Sequence, residues 1–119
     1  MKKPYRMQHI VPLGLSLVGL LYAQGAASAV DAAKAEALAK KEGCFKCHQI
    51  DKKKEADSFQ SIATKLKGKP DADAEILKQL TQSPKVKFAD GTEEEHKMIK
   101  TKDKGEIDNL IAWIRSLAK

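Results

Sequence analysis

Residues 44–48 read Cys44-Phe45-Lys46-Cys47-His48, two thiols three positions apart with an imidazole directly after the second. Thiols at this spacing can add across the two vinyl groups of a porphyrin. The adjoining histidine then comes under the iron as its proximal ligand, and C-x-x-C-H is the attachment signature of c-type haem. Three other uses of the pair compete with this one. A thioredoxin-type redox couple expects a βαβ setting, which the chain does not offer. Structural zinc wants four ligands, and the other half of such a set is missing from the sequence. A plain short-loop disulfide asks only for an exported chain. The histidine in its fixed place favours haem, bound through Cys44, Cys47 and His48.

Elements on either side must position this motif, and they read as helices. Residues 31–42 are rich in Ala, Lys, Glu and Leu, with Asp31 as a candidate N-cap and Gly43 where a C-terminal glycine belongs. Its apolar stripe of Ala32, Ala35, Leu38 and Ala39 is narrow, so another helix can approach closely. A charged connector, Asp51 to Asp57, follows the motif. A helix from Ser58 to about Lys67 shows Phe59, Ile62 and Leu66 at spacings of three and four, and Gly68 and Pro70 end it. Another starts at Asp71 or Asp73, carries Ile76, Leu77 and Leu80, and closes at Pro84. Residues 82–102 have no clear period and read as an irregular loop; no segment reads as a strand. The last helix is the plainest. Asp103 and Glu106 form a capping box, and Ile107, Leu110, Ile111 and Ile114 recur at helical spacing with Trp113 and Leu117 widening the stripe. The chain is expected to be all-α, with about four helices.

At 119 residues there is room for one domain. Lys2, Lys3 and Arg6 precede an uncharged apolar run, Ile10 to Ala23, and Ala27-Ser28-Ala29 suits signal peptidase; residues 1–29 therefore read as a signal peptide and 30–119 as the mature domain. The apolar run falls short of the roughly 20 residues a spanning helix needs, although an uncleaved N-terminal anchor is the alternative. Removing three of the 22 basic residues and none of the 16 acidic ones leaves a net charge of +3. That is not a nucleic-acid footprint. So small a domain buries a limited core, and a covalently bound apolar cofactor would supply the missing part.

On these motifs the chain resembles the small bacterial class I c-type cytochromes over nearly all of its mature length. The ending Leu110-Ile111-Ala112-Trp113-Ile114-Arg115-Ser116-Leu117 is similar to the family's Leu-x-x-Trp-Ile-x-Ser-Leu. The resemblance implies a class I cytochrome c fold around one covalent haem c, with the first and last helices crossing where Leu38 and the alanines meet Leu110 and Trp113. It also implies a monomeric, periplasmic electron carrier working between redox proteins as donor and acceptor, not an enzyme. Two departures stand out. The family's proline, whose carbonyl orients the proximal histidine, is replaced within Ala56-Asp57-Ser58-Phe59, so a backbone carbonyl or Asp57 must orient His48; Asp57 as a helix N-cap is the favoured reading of that side chain. The family's distal methionine comes from a proline-flanked loop, and no such loop is present. The mature chain has one methionine, Met98, and one histidine besides His48, namely His96. His96 is preferred as the distal iron ligand, Met98 is the alternative, and only one of them is expected to bind. Two protein ligands would leave no open position and hence electron transfer. A gas-binding or sensing haem protein with a displaceable distal ligand is the rival function.

Overall fold

Asp31 turns the chain into the first helix. Its backbone is extended, and its carboxylate accepts a hydrogen bond from the Lys34 amide at 3.0 Å, satisfying a donor that every helix start leaves free. Helix α1 spans Ala32–Lys41. Gly43 closes it with φ +81°, a left-handed conformation that residues with a side chain adopt at a cost of about 1–2 kcal/mol. Cys44–Lys46 then wind into a single 3₁₀ turn. The structure, a computed structural model, describes residues 29–119. The signal-peptide reading of residues 1–29 thus lies, Ala29 apart, outside the described residues.

Helix α2 spans Phe59–Leu66, and Ser58 caps it: the serine hydroxyl accepts from the Ser61 amide at 3.0 Å. This corrects the expectation that Asp57 is the cap. The Asp57 side chain turns instead to Lys65, with Nζ and Oδ2 2.6 Å apart. Helix α3, Ala72–Thr81, follows Asp71, which makes no side-chain cap bond; Asp73, in its first turn, pairs with Arg115 at 2.9 Å. Helix α4 spans Lys104–Ser116. The Asp103 carboxylate accepts from the Glu106 amide at 2.9 Å, as the capping box requires. The return bond is relayed: the Thr101 hydroxyl donates to the Glu106 carboxylate and accepts from the Asp103 amide.

Between α3 and α4 the expected irregular loop contains a small hairpin. Strand β1, Lys85–Lys87, pairs antiparallel with strand β2, Glu93–Glu95, with Lys85 opposite Glu95, Val86 opposite Glu94 and Lys87 opposite Glu93. The rest of the fold is helical, and α1, α2 and α3 all pack on α4. Leu110 is fully buried at the centre, with Ala35 and Ala39 beside it in the same cluster as Leu38 and Trp113. The small α1 side chains allow that close crossing. Phe59, Ala63 and Leu66 of α2 and Ala72, Ile76 and Leu80 of α3 complete the core with Ile99. Leu77, apolar and next to Ile76, is exposed, because the buried face of α3 steps from Ile76 to Leu80 by one full turn.

Candidate haem site

The 3₁₀ turn makes the cysteine–histidine motif a closed loop. The His48 amide donates to the Cys44 carbonyl at 2.9 Å, and the Ala56 amide returns to the Cys47 carbonyl at 3.0 Å. Lys54 ties the same connector back through Nζ to the Phe45 carbonyl at 3.1 Å. This fold-back brings Asp57 against His48, whose Nδ1 donates to the Asp57 main-chain carbonyl at 2.6 Å. A carbonyl can only accept, so Nδ1 carries a proton and Nε2 is the ring nitrogen left to meet a metal. The bond does for His48 what the family's proline carbonyl does, with no need of proline. Lys65, by hydrogen bond and then by charge, holds the Asp57 carboxyl below its usual range. Phe59 fixes the ring from the other direction: it stacks on His48 with centroids 4.9 Å apart and planes 25° from parallel, and meets Phe45 and Trp113 edge-on. Because the acceptor is main chain, Asp57→Ala is expected to leave the absorption spectrum and reduction potential of the holoprotein unchanged. It should lower stability by no more than about 1 kcal/mol, the worth of an exposed ion pair, as chemical denaturation would show.

A cavity of about 660 Å³ opens beside the motif, within the range of small-molecule and cofactor sites. Cys44, Cys47 and His48 line it, together with Ile62, Leu80, Val86, Phe88 and His96. Burial pushes the Cys44 thiol up, and the nearby Glu42 carboxylate adds to the effect. Across the cavity the His96 ring stands 6.2 Å from that of His48, centroid to centroid, with the planes 42° apart. Burial lowers the His96 pKa and the neighbouring His48 adds to it; the backbone of Gln79 and Lys97 opposes this only in part, without a well-aligned bond. The ring is therefore neutral at pH 7, with a lone pair to give. Its Nδ1 is buried and has no hydrogen-bond partner, a state that ordinarily costs about 1–3 kcal/mol. Met98, two residues on, is 49% exposed.

These residues fit an iron porphyrin. An imidazole nitrogen sits about 2 Å from a bound first-row metal and about 1 Å from its own ring centre, so two rings on opposite sides of one metal have centres about 6 Å apart. Zinc finds no comparable set: among the described residues no group of three or more His, Cys, Asp or Glu side chains could hold a metal ion.

The chain matches the cytochrome c family over residues 32–118, and it belongs to that family. The crystal structure of the class 1 cytochrome MtoD from Sideroxydans lithotrophicus ES-1 is similar at 47% sequence identity. That match has a TM-score of 0.71 and covers 75% of this chain and 98% of that one. No curated protein sequence matches significantly. The protein is thus a small class I c-type cytochrome, an electron-carrying haem protein that binds one haem c covalently through Cys44 and Cys47.

One part of the site escaped the sequence reading. Val86 and Phe88 reach the cavity from the hairpin, alternating with the exposed Lys85 and Lys87 ahead of an Asp90-Gly91 pair. Alternation before Asp-Gly is a hairpin signal. The acceptor for His48 is, as the sequence allowed, a backbone carbonyl, and it belongs to Asp57.

Proposed function

We propose that the protein is a periplasmic electron shuttle whose haem iron is held between His48 and His96. The observation that carries this reading is the pair of imidazole rings on the cavity wall, 6.2 Å apart centroid to centroid. The haem supplies one-electron uptake and release at its iron. His48, oriented by the Asp57 carbonyl and the Phe59 face, would hold the iron from one side, and His96 would hold it from the other and so exclude other ligands. Met98 is too exposed to compete and leaves the iron to His96. Cleavage after Ala29 would release residues 30–119, with no helix among the described residues long and apolar enough to cross a membrane. The released domain would act as a monomer.

The charged rim supports an acidic redox partner. Lys46, Lys52, Lys53 and Lys54 are all exposed, and none of them forms an ion pair among the described residues. On the hairpin Lys85 and Lys87 stand opposite Glu95 and Glu93, so opposite charge lies beside theirs without an ion pair among the described residues. The proximal lysines therefore remain to steer association. Two measurements test the reading. The reduced native protein should not change its spectrum with carbon monoxide, and a bound spectrum would favour a gas-binding protein. Second-order transfer to an acidic redox partner should slow about tenfold between low and physiological salt, since exposed charges are screened beyond roughly 8–10 Å. Changing Lys52, Lys53 and Lys54 to Gln should remove most of that salt dependence; rates indifferent to both would leave these lysines as a solvated face.

A further inference from the structure

His96 begins a six-residue strap, residues 96–101, that has little apolar hold on the protein. Of its residues only Ile99 is buried, while Lys97, Met98 and Lys100 are exposed. Polar ties at its two ends fix it instead. At the start, the Ser83 hydroxyl donates to the His96 carbonyl at 2.5 Å, and the His96 amide donates to the Pro84 carbonyl at 2.9 Å. Ser83 makes this contact from φ +51°, the only positive φ outside glycine among the described residues. That conformation is sparsely populated by residues with a side chain and is further disfavoured directly before proline. Strain of this kind persists where the surrounding structure enforces it, and it clusters at functional sites. At the far end, Glu42 is a buried carboxylate, 4% exposed. It accepts from the Lys100 amide at 2.8 Å and the Thr101 amide at 3.3 Å. No cation lies within ion-pair distance of it among the described residues, so these amides are its compensation for burial. It follows α1 and stands two residues before Cys44, so it joins the distal strap to the haem-attachment motif.

We propose that Ser83 and Glu42 are positioning residues that clamp the two ends of the 96–101 strap and so keep His96 at its post over the proximal histidine. The proposal rests on the reading of His96 as the distal ligand. An external ligand can reach the iron only in the fraction of molecules whose strap has opened, and its apparent affinity falls in proportion to that fraction. Each tie to the strap reduces the open fraction. A hydrogen bond of ordinary net strength is about tenfold in such an equilibrium. The two ties act on opposite ends and share no partner, so their effects are expected to multiply.

The experiment is cyanide binding to the ferric holoprotein, followed by stopped-flow absorbance, alongside denaturant unfolding of the same samples. Ser83→Ala and Glu42→Gln should each raise cyanide affinity about tenfold, and the double variant about a hundredfold. Ser83→Gly separates positioning from stability, because glycine adopts φ +51° freely while losing the tie. It should bind cyanide more tightly with its unfolding midpoint unchanged or raised. A Ser83→Gly protein with native cyanide affinity, or variants that lose stability alone, would overturn the clamp. His96→Ala in the same assay keeps the two readings apart. If it binds no better than native, the assignment of His96 fails; if it binds tightly while the Ser83 and Glu42 variants behave as native, the clamp alone fails.

Discussion

Reduced His96→Ala holoprotein is expected to bind carbon monoxide at concentrations that leave the native protein unchanged, with a gain in apparent affinity of about a hundredfold or more. The size follows from the competition. A native protein with His96 on the iron in 99% or more of molecules offers external ligands about 1% of its sites or less, and removing the side chain restores them all. The change deletes a half-buried ring from the cavity wall rather than from the helical core, so the fold should survive it. Met98→Leu should leave carbon monoxide binding as in the native protein, since Met98 is exposed. His96→Met should raise the reduction potential, because methionine ligation favours the reduced iron relative to a second imidazole. The oxidised native spectrum should lack the weak far-red band of a methionine–iron bond, and His96→Met should restore it. Binding that opens in Met98→Leu and not in His96→Ala would transfer the distal role to the methionine.

The helices and the attachment motif were legible because their signals are local. Asp31 and Asp103 cap the helices that their places in the sequence assign them, and Gly43 takes the left-handed turn expected of it. Ala35, Leu38 and Ala39 are buried with Leu110 and Trp113, since apolar spacing of three and four reports a helix face directly. The cap of α2 was misread by one residue. Asp57 and Ser58 are both good N-caps, and the choice fell to a long-range matter, the pull of Lys65 on Asp57. The hairpin was missed because its second strand is Glu93-Glu94-Glu95, where no apolar residue alternates with a polar one. Its partner alone carries the period of two. The hairpin is held by pairing with β1, which periodicity within one segment cannot report.

The distal ligand shows the same limit more sharply. His96 and Met98 lie two apart, which on a regular strand would put them on one side. The strap is not regular: its ends are tied to Ser83 and Glu42, and Ile99 donates its amide to the Leu80 carbonyl at 3.0 Å. Those ties, made to residues 13 and 58 positions away, turn His96 inward and leave Met98 outside. Sequence distance of that order is invisible to a local reading. The residue types nevertheless narrowed the candidates to two.

Changing both Cys44 and Cys47 to Ser is expected to yield a colourless and largely unfolded chain. The native protein should stay red through acid-acetone extraction, with a mass equal to residues 30–119 plus one haem. The argument is one of core volume. Among the described residues fourteen apolar side chains are buried, and four of them are alanine, a thin core for a domain of this size with no disulfide to staple it. The cavity of about 660 Å³ beside them is the space a haem would fill. Without it Ile62, Val86 and Phe88, which line the cavity and are only half-buried, face water. Total stabilities of such domains are about 5–15 kcal/mol, and exposing three or four large apolar side chains, at about 1.5–3 kcal/mol each, consumes most of that. The single variants Cys44→Ser and Cys47→Ser keep one thioether, so they should retain haem at reduced yield and with a lowered unfolding midpoint. Far-UV circular dichroism of the double variant decides the matter: loss of most helical signal is the expected result, and native helicity in a haem-free chain would show that the four helices stand without the cofactor.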